Sequence, residues 1–189
     1  MKARKVKGLD PDEPLADNLQ RIIAVRLDEL CGFMPEASDP EAVTALHDMR
    51  IAAKRLRYIL EIGAPCFGPY AETAGKRTKD VQDLIGEIHD CDETIPRVRA
   101  LIAQAQTADA YAARGRAAAD AEDLDPRFAA DAPQADVYRG LHTILTFLHA
   151  RRGMLFARFL ELWTELERQG FRSRLEYALD ERLPSTVQP

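Results

Sequence analysis

Hydrophobic residues recur every three or four positions along most of the chain, a spacing that places them on one face of an α-helix. The first such series contains Leu15, Leu19, Ile22, Ile23, Leu27 and Leu30. It predicts a helix from about Pro14 to Phe33, stopped by Gly32 and Pro35. Residues 1–13 have no such series and are expected to form a frayed polar arm.

The next two helices follow from start and stop signals. Ser38 or Asp39, followed by Pro40, predicts the start of a second helix that ends near Gly63. A third helix is expected from about Tyr70, with an apolar stripe that contains Ala74, Val81, Leu84, Ile85 and Ile88.

Further along, the residues between Asp90 and Asp92 are poor helix formers, so a bend or restart is expected there. A fourth helix then carries Ile95, Val98, Leu101 and Ile102, with Pro96 in its first turn. The run from Ala110 to Ala121 lacks large apolar residues and is interpreted as either a helical extension or a mobile connection.

The periodic pattern returns at Val137 and predicts one long helix, interrupted only by Gly153 and capped near Gly170. A short helix from Arg172 to Leu183 follows. No stretch shows the alternation of a β-strand. The sequence therefore predicts an all-α, up-and-down bundle of about six helices. Its predicted segments are a first bundle half (14–106), an acidic connection (107–136) and a shorter second half (137–183).

Composition indicates the class of protein and its expected location in the cell. The chain has 189 residues, 46% of them hydrophobic and 30% charged, which is ordinary for a globular protein. The sequence has no apolar run near the ~20 residues that span a bilayer, and its basic N-terminus lacks the features of a secretory signal. We therefore expect a cytoplasmic protein without a membrane partner. The three cysteines, without CxxC spacing, are expected to be reduced core residues.

One side of the second predicted helix is strongly basic. At about 100° per residue, His47, Arg50, Lys54, Arg57 and Tyr58 share that side, opposite the apolar stripe. The first acid on the basic side is Glu61, although a merely soluble face normally mixes both signs. Residues 47–80 carry a net charge of +3. Since the whole chain carries −5, the remaining residues together carry −8. This concentration of cations predicts an anion site, with a solvated basic face as the alternative.

Two further readings concern the histidines. The dipeptides His47-Asp48 and His89-Asp90 superficially resemble ligands of a metal-dependent phosphohydrolase, although the neighbouring cations would repel a divalent ion. His142 and His149 share one side of the last long helix with Arg152, which would add a cation if that side faced the basic stripe. No nucleophile stands beside a base motif, and no Gly-rich phosphate loop is present, so we expect neither an enzyme nor a cofactor.

Two segments carry a family resemblance. The segment LHDMRIAAKRLRYILE resembles the signature helix of the CHAD family, the conserved-histidine α-helical domains, and VQDLIGEIHDCDE resembles that family's second motif. On this resemblance His47 matches the signature histidine, and Arg50, Lys54, Arg55 and Arg57 match basic positions. Asp90 and Asp92 match the family's acidic pair, whereas His89 stands where arginine is common.

The resemblance implies a helical fold of two bundle-like halves around a basic cavity, which binds inorganic polyphosphate, sometimes at polyphosphate granules, without catalysis. The second half of this chain is short, so the cavity would be open or completed by a second copy in a homodimer. His89 in place of arginine would make binding more sensitive to pH.

Residues and resemblance together lead to one hypothesis, a polyphosphate-binding module. Its predicted binding residues are His47, Arg50, Lys54, Arg55, Arg57, Lys76, Lys79, His89 and Arg152. The alternatives are a metal-dependent phosphohydrolase that uses His47, His89 and Asp90, and a scaffold whose basic stripe holds an acidic protein segment. Tyr58 is the one aromatic residue beside the stripe, which argues against single-stranded nucleic acid as the partner.

Overall fold

The computed structural model describes residues 2–127 and 131–181. Its helices are α1 (Leu15–Cys31), α2 (Met34–Ala37), α3 (Val43–Gly63), α4 (Tyr70–Arg116), α5 (Ala135–Arg168) and α6 (Phe171–Asp180), with a 3₁₀ turn at Ala64–Cys66. These residues contain no β-strand, which confirms the all-α prediction. None of the described helices is long and apolar enough to cross a membrane.

The predicted third and fourth helices are one continuous helix, α4, of 47 residues. The expected break near Asp90 is therefore wrong, and Pro96 lies inside the helix. The reason is an unbroken buried stripe along α4, which contains Val81, Ile85, Ile88, Cys91, Ile95, Val98 and Ile102. Burial of this stripe outweighs the hydrogen bond that Pro96 removes. The helix also extends through residues 107–116, which the sequence assigned to the connection.

The helix that carries the basic stripe starts later than predicted. Its first residue is Val43 instead of Pro40, because Asp39 organises a turn before it. The side chain of Asp39 accepts a hydrogen bond from the amide of Glu41 at 2.9 Å, and its carbonyl accepts one from Ala42 at 3.1 Å.

The N-terminal arm is docked instead of frayed. Arg4 donates its backbone N–H to the buried carboxylate of Glu29 and its guanidinium to Asp28, both on α1. Further along the arm, Asp10 accepts a hydrogen bond from Asn18. The carboxylate of Glu29 also forms an ion pair with Arg26 at 2.5 Å, so this buried acid has two partners. The arm thus supplies one of the polar contacts that α1 needs.

The long helix α5 runs through Gly153 without interruption, and α6 follows after Gly170. Gly170 has a φ of 69°, the left-handed conformation that glycine adopts without strain. Residues 182 and 183, the predicted end of the last helix, lie outside the described residues.

Contacts divide the chain into two compact units. The main unit contains Met1–His89 and Leu155–Pro189, and the hairpin unit contains Asp90–Met154. These boundaries differ from the segments predicted from the sequence, because α4 and α5 each pass from one unit into the other.

In the main unit, α1 packs against α3 and α6. A Cβ at Gly63 would lie 3.3 Å from Leu19, which shows how closely α1 approaches the end of α3. The largest fully buried side chains of this unit include Ile23, Leu27, Met49, Leu56, Phe67, Ile85, Leu155 and Phe159.

In the hairpin unit, the end of α4 and the start of α5 run antiparallel. Asp92 contacts Arg152, Arg99 contacts His149, and Asp109 contacts Tyr138. The carboxylate of Asp109 is buried and also accepts the amide N–H of Gln134 at 3.1 and 3.2 Å. It thereby caps the residue immediately before α5, where a helix N-terminus favours a negative charge.

Candidate functional site

Helix α3 separates its apolar and basic residues as the pattern predicts. Its buried side contains Leu46, Met49, Ala52, Ala53, Leu56 and Leu60. On the other side His47, Arg50 and Arg57 are half-buried and Lys54 is exposed. The packing of α3 therefore leaves Lys54 exposed and the other three side chains partly accessible.

Three close approaches define how α3 and α4 pair within the main unit. A Cβ at Gly75 would lie 3.6 Å from Leu60, and one at Gly86 would lie 3.4 Å from Nε of Arg50. At the far end, the ring of His47 lies beside the ring of His89. The paired residue numbers rise on one helix as they fall on the other, so the helices are antiparallel. The same register places Arg57 opposite Lys79.

The two histidines form the first part of the site. Their ring centroids are 4.8 Å apart, at an interplanar angle of 48°. Nδ1 of His47 is buried and has no hydrogen-bonding partner among the described residues. Such a nitrogen can donate to or accept from a ligand, depending on its protonation state.

Arg50 lies one turn along α3 from His47 and packs over Gly86. Because Gly86 has no side chain, the guanidinium group can lie directly against the backbone of α4. Its Nε is buried and has no hydrogen-bonding partner within the described part of the chain. A buried N–H without a partner is costly, and a shift of the Arg50 side chain toward an anion would let this group form a charge-assisted hydrogen bond.

Tyr58 supports the next two cations. The guanidinium carbon of Arg57 lies 4.5 Å from the centroid of the Tyr58 ring, and Nζ of Lys54 lies 5.8 Å from it. Arg57 also lies 3.1 Å from Glu61, although the geometry of that ion pair does not make a hydrogen bond. Tyr58 thus holds the end of the stripe through cation–π contacts.

The two lysines predicted on the neighbouring helix each have a carboxylate partner. Lys76 pairs with Glu72 at 2.7 Å, and Lys79 pairs with Asp83. Both lysines line a cleft of about 320 Å³ with Glu61, Glu72 and Gly75. Hydrogen bonding to Lys76 lowers the pKa of Glu72, so this acid is ionised at neutral pH. These exposed pairs contribute little stability and leave the lysines able to exchange partners.

The remaining cations of the stripe differ in this respect. Among the described residues, no acid lies within ion-pair distance of Arg50 or Lys54. Arg57, Lys76 and Lys79, in contrast, are paired with Glu61, Glu72 and Asp83.

Arg55 is placed differently from the other predicted binding residues. It is half-buried, and helical geometry places it about 140° around α3 from Arg50. The structure therefore does not bring Arg55 into the line formed by Arg50, Lys54 and Arg57.

Arg152 belongs to the hairpin unit, whereas the other predicted binding residues belong to the main unit. Its guanidinium group forms an ion pair with Asp92 in which both side chains are mostly buried. Asp92 thus holds the side chain of Arg152. On the same helix, the exposed His149 lies 3.2 Å from Arg99.

The metal-site alternative depends on at least three ligands that converge. Within residues 2–127 and 131–181, no group of three His, Cys, Asp or Glu side chains is arranged to hold a metal ion. Arg50 lies one turn from His47 on α3, and a cation in that position disfavours a divalent metal ion.

A family comparison addresses the same part of the chain. The model of the CHAD domain matches residues 2–99. The chain belongs to the CHAD domain family. The match spans more than half of the chain and contains α1, α3 and the first 30 residues of α4. No curated protein and no solved structure matches this CHAD chain.

The matched region contains the full basic stripe, both lysines and His89, but not Arg152. Sequence reasoning missed two features of this CHAD site. One is the role of Gly86, which lies in the second motif but acts through a helix contact that the sequence pattern does not show. The other is the pairing of Lys76 with Glu72, which the spacing of four residues could have indicated.

Proposed function

We propose that this CHAD domain binds inorganic polyphosphate along the side of α3 that carries His47, Arg50, Lys54 and Arg57, with Lys79 of α4 as an additional contact. The observation that carries the proposal is the Arg50 guanidinium, held against Gly86 with a buried Nε that has no partner among the described residues. The association of CHAD domains with polyphosphate-related proteins supports this choice of anion.

The distribution of charge favours a linear anion over a single phosphate. From His47 to Arg57 the cations extend over about 15 Å of helix α3. Arginine forms forked contacts to phosphate oxygens and lysine supplies a mobile point charge, so the mixture suits repeated phosphate groups. One aromatic residue, Tyr58, lies beside the stripe, and its ring already contacts Arg57. This leaves few stacking surfaces for nucleic-acid bases.

Binding without catalysis is part of the proposal. Each predicted contact is a cation or an imidazole that can neutralise phosphate charge, and the acids near the stripe form ion pairs with Arg57, Lys76 and Lys79. The proposed setting is the cytoplasm, including polyphosphate granules, where long phosphate chains would be held.

Calorimetric titration of the metal-free protein with long-chain polyphosphate tests this function. We expect salt-sensitive binding that is lost in an Arg50→Ala/Lys54→Ala variant. The matched control is Arg97→Ala/Arg139→Ala, which removes the same charge from exposed arginines of the hairpin unit. If both variants weakened polyphosphate binding equally, the binding would depend on net charge alone and not on the basic stripe.

Two further titrations distinguish the alternatives. Single-stranded DNA should bind more weakly than polyphosphate at equal phosphate concentration and equal salt. Release of phosphate from polyphosphate after addition of Mg²⁺ or Mn²⁺ would instead favour the phosphohydrolase hypothesis and contradict binding without catalysis.

A further inference from the structure

Helix α5 exposes an apolar stripe in the hairpin unit. At about 100° per residue, Val137, Gly140, Ile144, Phe147 and Met154 lie within one arc of about 100°. The four large apolar side chains among them, those of Val137, Ile144, Phe147 and Met154, are 45–62% exposed. This spacing of three and four residues is the pattern of a seam between helices.

The seam is distinct from the side of α5 that packs inside the hairpin unit. The inner side carries Tyr138, His149 and Arg152, which contact α4. A hairpin of two helices can bury only one side of each helix. The apolar side chains on the outer side of α5 are therefore left 45–62% exposed.

The charges of α5 are compatible with helix pairing. Residues 137–154 contain no acid, and their arginines have partners within the chain. Arg139 pairs with Asp136, Arg152 pairs with Asp92, and Arg151 donates to Sγ of Cys91 at 3.6 Å. Two copies of this segment could approach without burying an uncompensated arginine.

The order of side chains along the seam is complementary to itself. In an antiparallel pair of α5 helices centred on Phe147, each Met154 faces Gly140 of the other copy. Ile144 then faces Ala150, and the two Phe147 rings meet at the twofold axis. A Cβ at Gly140 would meet nothing within 4 Å, so this position is an open notch. The large residue of one copy thus meets the small residue of the other.

The exposed apolar area is close to the apolar part of a standard interface. The four exposed apolar side chains offer about 400 Å² of apolar surface per copy. A standard interface buries about 800 Å² per partner, of which somewhat more than half is apolar. We propose that two copies of this chain associate through α5 in antiparallel orientation, so that two hairpin units form a four-helix bundle.

Sedimentation velocity of the full chain, without polyphosphate, tests the dimer. We expect the wild-type protein to show a concentration-dependent dimer, and both Phe147→Asp and Gly140→Leu to raise its dissociation constant at least tenfold. Gly140→Leu fills the notch for Met154 while it adds a better helix former, so it weakens the dimer without weakening the helix.

The matched controls are Gly153→Leu on α5 and Ile62→Asp on α3. A Cβ at Gly153 also meets nothing within 4 Å, but this residue lies outside the seam, and Ile62 is an exposed apolar residue of the main unit. Both controls should sediment as the wild type does. A wild-type monomer at 100 µM (a concentration set by the experiment), or a dimer that survives either seam substitution, would overturn the proposal.

Discussion

Nε of Arg50 lies 3.4 Å from the point where a Cβ of Gly86 would stand. The absence of a side chain on one helix therefore permits the position of a cation on the next helix. This relationship connects residues 36 positions apart in the sequence and makes Gly86 part of the proposed anion site, although it carries no charge.

Substitution of Gly86 should therefore weaken anion binding without removing any charge. In Gly86→Leu, the new side chain displaces the Arg50 guanidinium, and we expect polyphosphate affinity to fall about tenfold, or ~1.4 kcal/mol. Calorimetric titration measures the loss. Gly153→Leu is the control, since it changes another helical glycine whose added Cβ meets nothing within 4 Å. Unchanged affinity in Gly86→Leu would show that Arg50 does not bind the anion from this position.

Removal of the neighbouring acids should have the opposite effect. Glu61 and Asp83 pair with Arg57 and Lys79, so Glu61→Gln or Asp83→Asn releases one cation each. We expect polyphosphate to bind about two- to fivefold more tightly, because exposed ion pairs are weak and the local charge becomes more positive. The gain should shrink at high salt. Glu93→Gln, which releases Arg97 in the hairpin unit, should produce a smaller change or none.

Asp109 should be important for the hairpin unit. Its buried carboxylate accepts hydrogen bonds from Tyr138 and from the amide of Gln134. Asp109→Ala leaves these donors without their acceptor and should lower the local free energy of opening by about 2 kcal/mol. Hydrogen exchange at residues 134–138 measures this loss. Asp109→Asn keeps one acceptor oxygen and should lose less, and equal exchange in both variants would contradict the role of the carboxylate as a cap.

Cys31 should be unreactive in the folded protein. Burial raises the pKa of its thiol from 9.0 to about 11, so the thiolate is scarce at pH 8. We expect alkylation by iodoacetamide at pH 8 to be at least tenfold slower in the native protein than in urea, as peptide mass spectrometry can measure. Because the folded-state pKa is the higher one, this thiol stabilises the fold fully below pH 9. That contribution is lost as the pH rises through about 11. Equal alkylation rates would contradict the burial of the thiol.

The sequence pattern predicted most of the helices because their stability depends on apolar residues at regular spacing. The series from Leu15 to Leu30 and the series after Val137 both became helices near their expected limits. The predicted break at Asp90 was wrong, because a local preference for a helix cap competes there with a buried stripe that continues from Val81 to Ile102. The outcome depended on tertiary burial, which local propensity does not contain.

The candidate site shows the same division. Periodicity alone placed His47, Arg50, Lys54 and Arg57 on one side of α3, since that side follows from helical geometry. Arg55 was not among the residues that periodicity placed on that side, and it entered the predicted site through the family resemblance. The close approach of Arg50 to Gly86 and the contact between His47 and His89 could not be predicted in this way. Both depend on the register of α3 against α4.

The sequence by itself determined an all-α chain, the CHAD resemblance and the single sign of the basic stripe, because each depends on residues close together in the chain. Tertiary structure decided which cations are compensated, since Arg50 and Lys54 have no acid at ion-pair distance within the described residues while Arg152 is held by Asp92. Electrostatic compensation depends on distances between side chains, and those are set only when helices pack against one another.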